Sequence, residues 1–82
     1  MKTQSVTGLD PGSWYAVYPP IRARRCSIVN DVTLLFRAQA ADPSITLYAG
    51  ANNSFTAEFT VDTIAFYLKP LSGSPEPGLI WS

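Results

Sequence analysis

The side chains that most often carry catalysis are scarce in this sequence. It contains no histidine and one cysteine, Cys26, so neither a Ser/His nor a Cys/His nucleophilic pair can form. Among the six carboxylates, Glu58 and Asp62 are the candidate acid pair for glycoside hydrolysis. A chain of 82 residues offers little room for the cleft that such a reaction needs. The sequence therefore predicts that the protein is not an enzyme.

Metal and cofactor sites are not expected either. A structural zinc site needs a cluster of cysteines or histidines, and the chain has none. The glycines are isolated turn residues rather than a phosphate-binding loop. Cys26 lies on the apolar phase of a predicted strand, which favours a buried, unreactive thiol. With no disulfide and no metal, oligomerisation is the remaining way to support so small a core.

The charge content limits the classes of partner. Six basic and six acidic residues give a formal net charge of zero, whereas a nucleic-acid-binding domain normally has a basic excess. Charged residues make up 15% of the chain, against roughly 25% in average soluble domains. Either other protein covers part of the surface, or serine and threonine solvate it. We expect no nucleic-acid or membrane partner, because the chain also lacks an apolar run long enough for a transmembrane helix. The first residues do not resemble a signal peptide, so synthesis in the cytoplasm is expected.

An alternation of apolar and polar residues with a period of two is the main structural signal. It is strongest over residues 55–69, where it predicts two antiparallel strands or one bent strand with Phe66 and Leu68 facing the core. Pro70 ends the run. Shorter alternating segments follow turn signals at intervals of 8 to 12 residues; they cover residues 21–29, 32–40, 45–48 and 79–81. This spacing predicts an all-β fold, a single small antiparallel sandwich or barrel of about six to seven short strands.

The first twenty residues have a different pattern. They begin polar and then place Trp14, Tyr15 and Tyr18 within five positions. One interpretation is an extended arm, residues 1–20, that lays its aromatic side chains on a neighbouring subunit, ahead of a sandwich domain at residues 21–82. The alternative is that this segment folds back over an edge of its own sheet.

Three arginines interrupt the alternation of the next segment. The apolar phase changes after Arg25, and adjacent arginines at such a change fit a β-bulge. Arg22 and Arg24 could form ion pairs with a partner protein, or could protect the edge of a sheet by their charge. Near the other terminus, Trp81 should either plug the end of the sandwich or reach a neighbouring molecule.

The second half of the chain, residues 26–82, resembles small structural proteins of tailed-bacteriophage virions. The features that it shares with them are an Asn-containing turn before a strand (IVND–VTLLFRA), a turn ending ITLYAG, a strand of the form YLKPLSG, and a short Trp-containing end. The resemblance implies a jelly-roll-like β-sandwich used in capsid decoration, head fibres, or neck and tail attachment.

The leading hypothesis is therefore a capsid cement protein that binds the major capsid protein and forms a dimer or trimer with itself. The side chains expected at its interfaces are Trp14, Tyr15, Tyr18, Arg22, Arg24 and Trp81. Alternatives are a neck, tail or head-fibre component, or a carbohydrate-binding module that stacks sugar rings on Trp14, Tyr15 and Tyr18. A small phage protein that acts on a host target inside the cell is a further possibility.

Overall fold

The computed structural model describes residues 2–50, 53–56, 59–60 and 62–82. Within this part of the chain all regular secondary structure is β. The strands are β1 (Lys2–Ser5), β2 (Tyr15–Val17), β3 (Arg25–Val29), β4 (Leu34–Arg37), β5 (Ile45–Leu47), β6 (Asn53–Thr56), β7 (Phe66–Pro70) and β8 (Gly78–Trp81).

The strands form two four-stranded antiparallel sheets. Sheet I has the order β1-β8-β3-β6, and sheet II has the order β2-β7-β4-β5. The pairs are nested along the chain, because β1 pairs with β8, β2 with β7, β3 with β6, and β4 with β5. A long hairpin of four such pairs, rolled into two facing sheets, is the jelly roll. The predicted all-β sandwich is confirmed, with eight strands rather than six to seven.

The N-terminal segment supplies the two additional strands. The structure places β1 at one edge of sheet I and β2 at one edge of sheet II. Val6, Leu9 and Val17 are each no more than 1% exposed and belong to the core. The predicted extended arm and its boundary at residue 20 are therefore wrong for residues 2–20. This segment folds back onto its own sheets because its apolar residues are needed to complete a small core.

The core between the sheets is largely aromatic. The rings of Phe36 in sheet II and Phe55 in sheet I stack with 4.2 Å between their centroids and 6° between their planes. Phe66 lies 5.9 Å from Trp81, and the edge of Phe59 meets Trp81 at 5.5 Å. Offset and edge-to-face pairs of this kind contribute about 0.5–1.5 kcal/mol each beyond the area that they bury. The aromatic contacts thus join the two sheets across their interface.

The stretch at residues 55–69 does not form one hairpin or one bent strand. Phe55 lies in β6 of sheet I, whereas Phe66 and Leu68 lie in β7 of sheet II, and both of the latter are buried. The connection from β6 to β7 crosses between the sheets, and in its described part, residues 59–60 and 62–65, the Thr63 N–H donates to the Thr60 carbonyl at 3.1 Å. The predicted inward faces are therefore right, but the strands that carry them are in different sheets. The predictions for Ala57, Glu58 and Val61 lie outside the described residues.

The backbone at the start of β3 has the pattern of a β-bulge. The N–H groups of Arg24 and Arg25 both donate to the Ser82 oxygen, at 2.8 and 2.9 Å, and the Ser82 N–H donates to the Arg25 carbonyl. Two residues on one strand therefore face one residue on the other. The extra residue shifts the phase, so Cys26 and Ile28 point into the core.

A buried asparagine ties the sheets together at one end of the sandwich. Asn30 is 4% exposed, and its amide Nδ2 lies 2.8 Å from the Val32 carbonyl and 3.3 Å from those of Leu47 and Tyr48. Its Oδ1 accepts a hydrogen bond of 3.2 Å from the Asn53 amide. Leu47 belongs to sheet II and Asn53 to sheet I, so this one side chain links both.

Candidate interaction surfaces

The residues expected at an interface lie in three different environments. Trp14 is on the outer face of sheet II, Arg22 and Arg24 are at one end of the sandwich, and Trp81 is inside the core. Trp81 is 1% exposed, so as an interface residue it is a wrong prediction, and plugging the sandwich is what the structure shows. Its burial follows from the pairing of β8 between β1 and β3, which turns alternate residues of β8 inward.

The three N-terminal aromatic side chains do not form one platform. Successive residues of a strand point to opposite faces. Tyr15 therefore packs against the core, while Trp14 turns outward. Tyr18 follows β2 and is 55% exposed. The predicted stacking surface for sugar rings made of all three is thus not present.

The outer face of sheet II instead carries a cluster of two aromatic rings and two cations, which we call the Trp14 cluster. The guanidinium carbon of Arg37 lies 4.2 Å from the centre of the Trp14 ring and 5.1 Å from that of Tyr67. The Lys69 ammonium lies 5.4 Å from the Trp14 ring centre. Contacts of this type stabilise by about 0.5–1 kcal/mol each when partly exposed.

Strand register explains how these side chains meet. In the central strand β7, Tyr67 pairs with Ala16 of β2 on one side and with Arg37 of β4 on the other. Directly paired residues point to the same face, and residues two apart along a strand do so as well. Lys69, two residues after Tyr67, therefore shares this outer face. Trp14, two residues before Ala16, lies on the same face.

Arg37 contacts two aromatic rings but is not fully hydrogen-bonded. Its Nε is buried and has no hydrogen-bond partner among the described residues. A buried donor without an acceptor costs about 1–3 kcal/mol. The side chain as a whole is only partly buried, and its guanidinium lies against the two rings. A guanidinium is well suited to bind a carboxylate through two parallel hydrogen bonds.

Arg22 and Arg24 contribute to a second surface, the basic end. It is the end where β2, β4, β6 and β8 finish. An open hollow of about 390 Å³ lies there, lined by Lys2, Pro20, Ile21, Arg22, Ala23, Trp81 and Ser82. Arg22 and Arg24 also line an adjoining hollow with Phe59. Arg22 has φ 64°, a left-handed conformation that costs a residue with a side chain about 1–2 kcal/mol. The Ala23 N–H donates to the Pro20 carbonyl at 3.2 Å and closes this turn.

Cys26 has no part in either surface. It is 0% exposed, and burial raises the pKa of its thiol from 9.0 to about 12, although a backbone hydrogen bond involving Ile80 opposes the shift. The thiolate that would react or bind metal is therefore suppressed. Among the described residues, no group of three histidine, cysteine, aspartate or glutamate side chains could hold a metal ion.

Sequence reasoning missed the Trp14 cluster. Alternation alone puts Arg37, Tyr67 and Lys69 on polar faces of their strands, but their meeting depends on the pairing of β2, β7 and β4. That pairing joins segments far apart in the chain.

A search of protein-family models, of curated proteins and of solved structures found no match to this chain. In the part of the chain that the structure describes, there is also no helix long and apolar enough to cross a membrane.

Proposed function

We propose that this chain is a non-catalytic structural protein of a bacteriophage virion, most specifically a cement protein that decorates the assembled head. The observation that carries the proposal is the nested strand order, because the jelly roll is an architecture of viral capsid domains. It is also the architecture that the sequence resemblance implies. Since a fold alone does not determine function, the argument needs a surface suited to binding protein.

The Trp14 cluster is the surface that we assign to the major capsid protein. Tryptophan, tyrosine and arginine are the side chains most enriched among the residues that dominate binding energy at interfaces. Arg37 already lies against Trp14 and Tyr67, so a partner would lose little side-chain entropy on binding it. A carboxylate of the capsid protein is the expected partner of Arg37.

Cementing follows from binding the assembled state alone. A contact that spans two capsid subunits exists only after assembly, and any ligand that binds one state stabilises that state by mass action. Each copy need bind only weakly, because many equivalent copies act on one shell. The chain would thereby raise the resistance of the head to heat and internal pressure.

Co-sedimentation with capsids tests this proposal. The purified chain should pellet with assembled heads and should not bind unassembled capsid subunits. Arg37→Gln should lower the affinity for heads about tenfold or more, as expected for a dominant interface arginine. Arg25→Gln is the matched control, because it removes the same charge from an exposed position in sheet I and should leave the affinity unchanged when few copies occupy each head. Equal affinities of the two variants would contradict the assignment of this surface.

Sugar binding is the second candidate, since jelly rolls also form lectin domains. The Trp14 ring is partly exposed and could stack on one sugar ring. A titration of tryptophan fluorescence with sugars separates the two functions. Saturable quenching that Trp14→Ala abolishes would favour a carbohydrate-binding module on a fibre, whereas no response favours the cement.

A further inference from the structure

The charged side chains are separated between the two ends of the sandwich. Consecutive strands run in opposite directions, so consecutive connections lie at alternate ends. The connections after β1, β3 and β7 share one end, the acidic end, which carries the carboxylates of Asp10, Asp31 and Glu76. At the opposite, basic end lie four of the six cations, namely Lys2, Arg22, Arg24 and Arg25.

The separation persists when every charge at each end is counted among the described residues. Two carboxylates, Asp42 and Asp62, also lie in connections at the basic end, and the sequence adds Glu58 to the connection between β6 and β7. Four cations against three carboxylates leave that end net positive. The connections at the acidic end contain no lysine or arginine. A chain with no net charge therefore has a positive and a negative end.

Both ends also expose apolar side chains, as an interface with an apolar centre requires. At the basic end these are Tyr18, Ile21 and Ile45, of which Ile21 is 75% exposed. At the acidic end they are Val29, Val32, Tyr48 and Leu71. The hollow beside Arg22 is lined in part by the apolar residues Pro20, Ile21 and Ala23, and it could receive a side chain such as Leu71 from another molecule.

We propose that copies of this chain associate head to tail, with the basic end of one copy on the acidic end of the next. Charge complementarity selects this arrangement, because two basic ends or two acidic ends would repel each other. Contacts between two different surfaces produce rings or rows rather than an isolated symmetric dimer. This inference goes beyond the proposed function and does not depend on the chain being in a virion.

The size of the ends limits the strength of the contact. The molecule measures 32 × 26 × 20 Å, so even its smallest face allows roughly 500 Å² of buried surface per copy. The total lies at the lower limit for specific interfaces, so association in solution should be weak. It should become substantial only where copies are held side by side on a surface.

Sedimentation velocity of the purified chain, at concentrations up to about 1 mM, tests the proposal. That range detects self-association with a free energy as weak as about −4 kcal/mol. Self-association should appear in about 0.01 M salt and weaken in about 1 M salt, because salt screens exposed charges. Arg22→Glu should lower the association constant roughly three- to tenfold, as for an exposed ion pair whose sign is reversed on one side. Thr3→Glu/Thr46→Glu is the matched control, because it changes the net charge equally at exposed positions inside edge strands rather than in the connections.

Mixing two variants gives the decisive result. Glu76→Arg alone should also weaken association, but an equimolar mixture with Arg22→Glu should form a one-to-one complex. The intact basic end of the first variant can then dock on the intact acidic end of the second. A wild-type chain that stays monomeric in low salt would overturn the proposal. So would equal effects of Arg22→Glu and the control, or a mixture that forms no complex. None of these outcomes bears on capsid binding, which the co-sedimentation experiment measures separately.

Discussion

Replacing Trp81 by alanine distinguishes a core residue from an interface residue. The indole is 1% exposed, contacts Phe59 and Phe66, and donates from Nε1 to the Gln4 side-chain oxygen at 3.3 Å. Truncation of a buried tryptophan to alanine costs about 3–5 kcal/mol, because the cavity that it leaves closes only in part. An 82-residue domain has a free energy of unfolding of roughly 4–12 kcal/mol. Trp81→Ala should therefore lose a large share of the total stability.

Thermal unfolding followed by circular dichroism measures this loss. In a domain of this size each kcal/mol corresponds to about 4–8 °C in Tm, so Trp81→Ala should lower the Tm by roughly 15–30 °C. Trp81→Phe keeps an aromatic ring against Phe66 and should cost only about 1–2 kcal/mol. The control is Ile21→Ala, at a side chain that is 75% exposed, which should change stability by less than about 0.5 kcal/mol. A Tm of Trp81→Ala equal to that of the wild type would refute the placement of β8 in the centre of sheet I.

Three further predictions follow from particular contacts. Asn30→Asp should lower the free energy of unfolding by about 2–4 kcal/mol near neutral pH, because a buried carboxylate cannot donate to the Leu47 and Tyr48 carbonyls. Urea titration measures this loss, and an unchanged unfolding midpoint would contradict the hydrogen bonds assigned to Asn30. Cys26 should react with a thiol reagent only as fast as the protein unfolds, and reaction at the rate of a free thiol would show that it is not buried. Because the pKa of Cys26 is about 12 in the folded chain and lower when unfolded, its contribution to stability should disappear as pH rises from about 9 to 12. The free energy of unfolding of Cys26→Ala should therefore fall less steeply with pH than that of the wild type. Identical slopes for the two proteins would contradict the raised pKa.

The alternation of residue types predicted the inward faces of the central strands because burial on one face is a local property. Phe66 and Leu68 were expected to face the core and are buried. The edge strand β1 gave no such signal, since the four residues of Lys2–Ser5 are all polar and exposed. Its place is determined by pairing with β8, which is distant in the chain.

The two surfaces differ in how far the sequence could have revealed them. The Trp14 cluster requires the register of three strands and could not be read from one segment. The charge separation had a detectable signal, because successive connections of an antiparallel fold alternate between ends. Arg22 and Arg24 were recognised, but the opposite location of Asp31 and Glu76 became apparent only with the strand count corrected to eight.

The central proposal is that the chain is a component of a virion shell. The most direct test is quantitative mass spectrometry of purified particles of a phage whose genome encodes the chain. The copy number should be measured against the major capsid protein. The cement proposal predicts hundreds of copies per particle, because a decoration protein follows the lattice that it covers. About six to twelve copies would contradict the cement assignment and favour the neck, tail or a vertex fibre. Complete absence from the particles would contradict the virion function itself.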